Sequence, residues 1–587
     1  MKIKTYTIFI ILFSLISCSN DENDKDSFSE NQTEAKGYYY EGDKKHKIYY
    51  GGIFRMNETG GFKSLFPHSI IDAPSSRIAS QIYQGLLKMN QRTLKIENCL
   101  ANKVEISEDG KVYTFNLHDN VYFHDNACFP NSKGRKLTAY DVKYSFDMLC
   151  SNNLENALFE LFKDKVVGAN DYYESTMKED PLAGGVYGVT VLDELTLKIE
   201  LNKAYSFFSK ILTHHACYIF PKEAYEKYGS DMRTNCVGTG AFMIDKIKEG
   251  TQLRLIKNQN YWETDDNGNR LPYLDIIKIT FSKDKKTEMH NFNLGNLDLI
   301  WRLPVDEMSS VLVSLAEAKK GGNPEFRYQQ KNSLAVQYYS FLHNSEIFKN
   351  KDIRMAFNLA IDREKLVRYT LQGEGIPAIH GLVPNFNGYD NSSIKGFDFN
   401  PEKARKLLKD AGYNTGSDLP EITLQVNEDD ANIMLAESIQ KMLEENLGVK
   451  IKIDVIQFSA LIESFLHGRT DFWRTSWVAD YPDAHSFLSL FYGKNVPKDK
   501  SSASYANPSR FINEAFDNYF EKAIESTDSD EQSLYYHKCD SILITEAAFM
   551  PIYYDQYIRL LQLNVRGLPQ NAMEHRDLSR VFLSRDN

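Results

Sequence analysis

The segment Asp352-Ile-Arg-Met-Ala-Phe-Asn-Leu-Ala-Ile-Asp-Arg363 gives the clearest secondary-structure pattern in this chain. Its apolar residues Ile353, Phe357, Ala360 and Ile361 recur at the spacing of an α-helix, so they form one continuous apolar face. Such a face is stable only when it packs against a core. The segment therefore predicts an amphipathic helix of a globular domain.

Further helices and strands alternate on both sides of this helix. The segments 401–411 and 431–447 also have helical periodicity, and Gly412 provides a helix-stop signal after the first of them. The segments 111–117 and 195–201 alternate between apolar and polar residues, which is typical of half-buried strands. Interspersed helices and strands predict an α/β fold.

The length and charge of the chain limit its architecture and its partners. At 587 residues it is expected to form three or four folding units. Its composition, 42% hydrophobic and 25% charged, is that of a globular protein. The net charge of -11 argues against a nucleic-acid-binding protein, which would present a basic face.

The N-terminus has the features of an export signal. Lys2 and Lys4 precede the apolar run 6–16, which is too short to span a membrane. The following Leu15-Ile-Ser-Cys18 resembles a bacterial lipobox, which implies that Cys18 is lipidated. Residues 1–17 would then be a lipoprotein signal peptide. The alternative is an ordinary signal peptide with a cysteine there by chance.

An acidic tail follows the lipobox. Residues 19–36 contain six Asp or Glu residues and almost no apolar residue, so they are expected to form a solvated tether. Acidic residues at this place also resemble the surface-export signals of some Gram-negative lipoproteins. Lipid anchoring on the periplasmic side and display on the cell surface therefore both stay open.

The remaining cysteines do not predict a metal site. They are far apart and include no C-x-x-C pair. Cys217 with Cys236, or Cys128 with Cys150, could form a disulfide in an exported protein, and buried free thiols are an equal alternative. His214 and His215 lack a third ligand at metal spacing, so we expect no metal and no cofactor.

The order of short motifs along the chain resembles one family, the family 5 extracellular solute-binding proteins. This family comprises the oligopeptide and dipeptide receptors of ABC importers. The motifs that carry the resemblance include Gly51-Gly52, Leu65-Phe-Pro67, Ile82-Tyr-Gln-Gly-Leu-Leu87, Val237-Gly-Thr-Gly-Ala-Phe242, Asn260-Tyr-Trp262, Asp352 to Arg363, Asn400-Pro-Glu-Lys-Ala-Arg-Lys-Leu-Leu408, Trp477-Val-Ala-Asp-Tyr-Pro-Asp483 and Pro551-Ile-Tyr-Tyr554. Each is weak alone, and their joint order is specific.

The resemblance implies a two-lobed periplasmic-binding-protein fold, type II and cluster C-like, with an extra small domain and an interlobe ligand cleft. We expect lobe I to comprise residues 46–88, 214–318 and 546–587, and lobe II to comprise residues 319–545. Residues 89–213 would form the small domain, and residues 18–45 the lipidated tether. A ligand that contacts both lobes would favour a closed form.

Asp480 is the best candidate for ligand contact. It lies with Trp477 in an apolar and aromatic motif, where a carboxylate needs a partner to offset its desolvation. In the resembled family, the Asp at this motif position receives the α-ammonium group of the ligand. The alternative is an internal salt bridge with a Lys or Arg.

The resemblance also implies further ligand contacts. Arg474 occupies a place where oligopeptide receptors of the family, though not all members, have an Arg that can meet the carboxylate of a short peptide, for which its planar fork is suited. A surface or structural role is the alternative. Phe458 corresponds to an aromatic residue of the pocket, with core packing as the alternative. The backbone of Ile71 and Ala73 would pair with the peptide. Asp72 occupies a position that is small in close relatives.

No catalytic motif is present, since H-E-x-x-H, G-x-S-x-G and Walker A patterns are all absent. We therefore expect a monomeric binding protein, not an enzyme, whose partners are short peptides, the transmembrane subunits of an ABC importer and the membrane. One alternative is the same fold with another solute, such as a metal complex, haem or an oligosaccharide. The other is a surface peptide receptor or adhesin without transport.

Overall fold

The computed structural model describes residues 32–59, 61–153, 155–304, 307–499, 502–526 and 528–585. Cys18, the signal peptide and the first part of the tether lie outside these residues. The strands are β1 Thr33–Glu41, β2 Lys44–Tyr50, β3 Ile53–Glu58, β4 Leu87–Met89, β5 Ile96–Asn98, β6 Ala101–Ile106, β7 Val112–Leu117, β8 Val189–Asp193, β9 Thr196–Glu200, β10 Phe242–Lys248, β11 Gln252–Lys257, β12 Ile276–Phe281, β13 Leu299–Trp301, β14 Arg327–Phe341, β15 Ile376–Pro377, β16 Ile422–Asn427, β17 Ile451–Ile456, β18 Phe472–Val478, β19 Phe549–Leu561, β20 Val565–Arg566 and β21 Phe582–Leu583.

The α-helices alternate with these strands along the chain. They are α1 Ala73–Ile82, α2 Ala139–Leu149, α3 Ala169–Met177, α4 Phe208–Ile211, α5 Lys222–Tyr228, α6 Lys285–Asn293, α7 Met308–Lys319, α8 Lys351–Leu359, α9 Arg363–Lys365, α10 Pro401–Asp410, α11 Asp430–Leu447, α12 Phe458–Leu466, α13 His485–Leu488, α14 Glu514–Glu525 and α15 Ser529–Thr545. The predicted α/β class is confirmed.

Two long strands, β14 and β19, connect the main parts of the molecule. They pair antiparallel along almost their whole length within a seven-stranded sheet. The first half of β14 pairs with the end of β19, beside β13, and its second half pairs with β18. The β14–β19 register shifts between Asn332 and Val336, so an irregularity separates the two halves.

Two four-stranded sheets lie in the part of the chain before β13, which also contains the pairs β1-β2 and β4-β5. One has the strand order β10-β11-β12-β3, and the other has the order β6-β7-β9-β8. The second sheet lies within residues 89–213, the range expected for the small domain. The proposed boundaries of the lobes stay predictions.

The tether prediction was wrong for its last part. Residues 33–50 form the antiparallel hairpin β1–β2, in which Ala35, His46 and Ile48 are buried. Three consecutive tyrosines, 38–40, favour a strand, and the Gly at position 42, with φ +58°, allows the tight turn. This β-propensity outweighed the charge of the neighbouring residues.

The expected helices are present, with one interruption. Helix α10 begins at Pro401, and α11 ends at Leu447 with Gly448 as its C-cap, at a φ of +75° in the left-handed region. The helix expected from Asp352 is broken after Leu359, because the Asp362 side chain accepts a hydrogen bond from Lys365 N and starts a new turn.

The six described cysteines are free thiols, and five of them are buried. Neither of the two disulfides considered from the sequence is formed. Within the described ranges, we find no helix with the length and apolarity needed to cross a membrane.

Candidate functional site

Asp480 lies just beyond the end of β18, next to the register shift of β14. Asp480 reaches this place because β18 pairs with β14. The pairing extends to Ala479, whose N–H donates a hydrogen bond to Leu334 O at 2.9 Å. The backbone N–H of Asp480 donates to Ser486 Oγ at 3.0 Å. The position of the carboxylate is therefore fixed by the main chain.

The carboxylate of Asp480 has no partner in the described part of the chain. No ion pair or hydrogen bond of its side chain is found, and no cation influences its pKa. The residue is exposed to solvent, yet surrounding protein desolvates it and raises its pKa to about 7. A group that is both exposed and closely surrounded by protein lies in a concave part of the surface.

The loop that follows Asp480 is held in place by residues far away in the sequence. Asp483, which is buried, forms an ion pair with Lys210. The ring of His485 stacks on Phe207, with the centroids 3.8 Å apart. These contacts join the Asp480 loop to the segment that follows β9, beside the sheet β6-β7-β9-β8.

Trp477 supports the same loop. Its indole Nε1 donates to Ser486 Oγ at 3.3 Å, and its ring packs against the largest hydrophobic core. The structure therefore gives Trp477 a positioning role, and its direct contact with a ligand stays a prediction.

Arg474 points its guanidinium at two neutral acceptors. It donates to Gln337 Oε1, and to Asn427 Oδ1 at 3.4 Å. No carboxylate lies within ion-pair distance of Arg474 in the described ranges. The side chain is partly exposed, so this cation is available to an anionic group.

A polar chain that sequence reasoning missed continues from Arg474. Gln337 Nε2 donates to Asp555 Oδ2 at 2.8 Å, and Arg302 Nη2 pairs with the same oxygen at 3.3 Å. Arg302 and Asp555 come together because β13 pairs with β19. No local pattern around either residue signals this contact, so single-sequence reasoning could not have found it.

The segment with Ile71 and Ala73 is not a continuous edge strand. Ile71 is 64% exposed, and neither its N–H nor its C=O makes a hydrogen bond to the described residues. Ala73 begins α1, so its C=O bonds within the helix and only its N–H stays available. Asp72 is the N-cap of α1, and its carboxylate accepts a hydrogen bond from Ser75 N at 2.8 Å.

Phe458, the first residue of α12, is 55% exposed, which is inconsistent with its alternative role in core packing.

A cavity of about 550 Å³ lies elsewhere, between the β1–β2 hairpin, the end of α1 and the C-terminal segment. Several of its charged groups already pair with one another, as Lys88 does with Glu263 at 2.7 Å and Arg580 does with Asp577 at 3.9 Å. It is therefore a weaker candidate than the surroundings of Asp480. No cluster of three or more metal-ligating side chains occurs among the residues that the structure describes.

Asp480 and Arg474 together give this region one unpaired carboxylate and one guanidinium without an acidic partner. The two residues lie on the same strand and its extension, six positions apart. This arrangement suits a guest with a cationic group at one end and an anionic group at the other.

Comparisons with known proteins show similarity along most of the chain. The family model of the bacterial extracellular solute-binding proteins, family 5, matches residues 95–499. The oligopeptide-binding protein OppA of Bacillus subtilis is 27% identical over 515 residues, 86% of this chain and 88% of that protein. Heme-binding protein A of Haemophilus influenzae is 26% identical over 97% of each chain. The periplasmic binding protein DppA of Helicobacter pylori, solved with the peptide STSA, superposes with a TM-score of 0.77. It is 23% identical, over 91% of this chain and 99% of that chain.

Proposed function

The chain belongs to the bacterial extracellular solute-binding proteins of family 5, and on this premise we propose that it binds short peptides between two lobes and delivers them to an ABC importer. The fold is the two-lobed fold of periplasmic binding proteins. OppA is an oligopeptide-binding protein by name, and the DppA structure is a complex with a peptide, which supports a peptide as the cargo.

The observation that carries this proposal is the unpaired carboxylate of Asp480. A peptide α-ammonium group about 4 Å away would gain about 4 kcal/mol at an effective dielectric constant near 20, before desolvation is subtracted. A neutral sugar would leave the carboxylate without a counter-charge. Arg474 and the free backbone groups of Ile71 would then bind the rest of the peptide.

The test is the substitution Asp480→Asn, followed by calorimetric titration with tetra-alanine. Loss of the carboxylate removes a charge-assisted contact, so we expect affinity to fall about 30-fold or more while the fold is kept. The same substitution at Asp471, an exposed residue one position before β18, is the control and should leave affinity unchanged. Equal affinities of Asp480→Asn and wild type would refute the amine-anchor role.

Delivery to an importer fits a protein attached to the membrane. We propose that lipid on Cys18 anchors the chain on the periplasmic side of the envelope or at the cell surface. Metabolic labelling with an alkyne fatty acid should mark the wild-type chain and leave Cys18→Ser unmarked. Labelling of both chains would contradict anchoring at Cys18.

A further inference from the structure

Two guanidinium groups lie near each other at the junction of the two halves of β14 and β19. Arg474 comes from β18, and Arg302 directly follows β13. Gln337 and Asp555 connect them in a chain of hydrogen bonds, in which Asp555 is the only carboxylate. Asp555 pairs with Arg302 and not with Arg474, so the pair of cations is incompletely neutralised.

The backbone and ring contacts of Arg302 hold its side chain in a defined place. Its φ of +54° is in the left-handed region, which is unfavourable for a residue with a Cβ atom. Its guanidinium lies over the rings of Trp301 and Tyr557, at 5.2 and 5.5 Å from their centroids. Even so, 44% of the side chain is exposed, so several N–H donors face solvent.

Protein surrounds Arg302 closely despite this exposure. Burial alone would lower the pKa of Arg302, but Asp555 and nearby tyrosines hold it above its ordinary value. Burial raises the pKa of Tyr553, and the charges of Asp555, Arg474, Arg302 and Glu374 also act on this pKa, so all four groups lie in the neighbourhood of its hydroxyl. Like Asp480, Arg302 therefore lines a concave and hydrated surface.

We propose that Arg302 is a second guanidinium for the carboxylate of the guest, acting together with Arg474, and that it sets a preference for peptides with a free C-terminus. This inference rests on the proposed peptide-binding function and adds a residue that determines specificity. Arg suits the role because its fork donates two parallel hydrogen bonds to a carboxylate.

Besides Asp555, which pairs with Arg302, Glu374 is a nearby acid that would oppose an incoming anion. Its carboxyl group makes no hydrogen bond to the described residues. The charge of Arg302 lowers its pKa, and the charge of Asp555 raises it. Burial raises the pKa of Glu374 to about 7, so the group takes up a proton readily when an anionic guest arrives. The charge of Glu374 thus does not block the site.

The separation of the two charged ends limits the length of the guest. Arg474 and Asp480 are six residues apart, which corresponds to at most about 21 Å of extended chain. An extended peptide of about six residues has this length, so we expect a guest that bridges the two side chains to have about six residues or fewer. Tetra-alanine is therefore a suitable probe.

The experiment compares tetra-alanine with its C-terminal amide by calorimetry on the full chain, in the wild type and in Arg302→Gln. We expect the wild type to bind the free acid more tightly than the amide. Arg302→Gln should weaken binding of the acid about tenfold to a hundredfold and leave the amide nearly unchanged. Arg302→Lys keeps the charge without the fork and should restore part of the preference.

Arg55→Gln is the matched control, because Arg55 is 39% exposed and faces Asp298 at 3.6 Å, much as Arg302 faces Asp555. Arg55→Gln should bind both tetra-alanine and its amide with the affinities of the wild type. An equal loss for acid and amide in Arg302→Gln would overturn the inference and indicate a structural role. A wild type that binds both peptides equally would also overturn it, with the proposed function intact. Failure of the wild type to bind either peptide would refute both.

Discussion

At the scale of single residues, the properties of the candidate site follow from which charges have partners. Asp480 and Arg474 have no ionic partner in the described structure, whereas most charged side chains in the protein interior are paired. Glu58, for example, is fully buried and bonds Arg77 at 2.6 Å and Arg576 at 3.1 Å. Unpaired charges near a concave surface are costly, and a ligand offsets that cost.

The pKa of Asp480 predicts a pH dependence for binding of the peptide amine. The raised value of about 7 means that, below pH 7, the empty site holds a largely neutral carboxyl group, which attracts an ammonium weakly. We expect the affinity for tetra-alanine amide to fall between pH 7.5 and 5, by at most about tenfold per pH unit. Calorimetry across this range measures the effect.

The amide is used in this titration because it removes the carboxylate contact, and with it any influence of Glu374. The affinity of Asp480→Asn for tetra-alanine amide should stay constant over the same pH range. A wild-type affinity that is constant from pH 7.5 to 5 would be incompatible with Asp480 as the amine anchor.

The buried charge cluster around Glu58 predicts a large loss of stability. Burial favours neutral Glu58, but Arg77 and Arg576 keep its pKa below the ordinary value. Glu58→Gln leaves Arg77 without its ion-pair partner and Arg576 with Glu574 alone, and it should lower the free energy of unfolding by about 3–5 kcal/mol at pH 7. Denaturant-induced unfolding of the wild type and of Glu58→Gln measures this difference in the free energy of unfolding.

The sign of the pH effect at Glu58 follows from its lowered pKa. Its contribution is present at neutral pH and is lost as the pH falls through the folded-state pKa, so the difference between wild type and variant shrinks in acid. The exposed pair Lys178–Glu174 is the control, and Glu174→Gln should leave stability unchanged. Equal unfolding midpoints for Glu58→Gln and wild type would show that the cluster does not stabilise the fold.

At the scale of secondary-structure elements, local patterns predicted most helices and strands. Strands β7 and β9 and helices α10 and α11 lie within a residue or two of the expected positions. The start of α1 was missed, although Asp72-Ala-Pro74 is a recognisable start signal, with an N-cap residue before a Pro in the first turn. The resemblance to an edge segment had taken precedence over this signal.

The N-cap of α1 predicts a moderate effect on stability and binding. The Asp72 carboxylate accepts hydrogen bonds from Ser75 N and, at 2.7 Å, from Ser75 Oγ. Asp72→Ala should lower stability by about 1 kcal/mol and weaken binding of tetra-alanine, because Ile71 loses its fixed position. Asp72→Asn keeps a capping oxygen and should stay close to wild type in both assays. An Asp72→Ala variant with unchanged stability would contradict the capping role.

At the scale of the whole molecule, the site depends on contacts that no single-sequence pattern contains. The motif around Asp480 was visible from the resemblance, but Arg302, Glu374 and Asp555 meet only because β13 and β15 both pair with β19. The contacts of Lys210 and Phe207 with the Asp480 loop likewise join residues more than 270 positions apart. Such long-range pairing is decided by tertiary packing, so it had to be observed.

The central claim is that the chain carries short peptides. The most direct measurement is mass spectrometry of the small molecules that the full chain retains when it is purified without denaturation from cells grown in rich medium. We predict peptides of about two to six residues with free amino termini, and their loss from Asp480→Asn. Haem, a metal complex or an oligosaccharide as the sole retained molecule would contradict the claim.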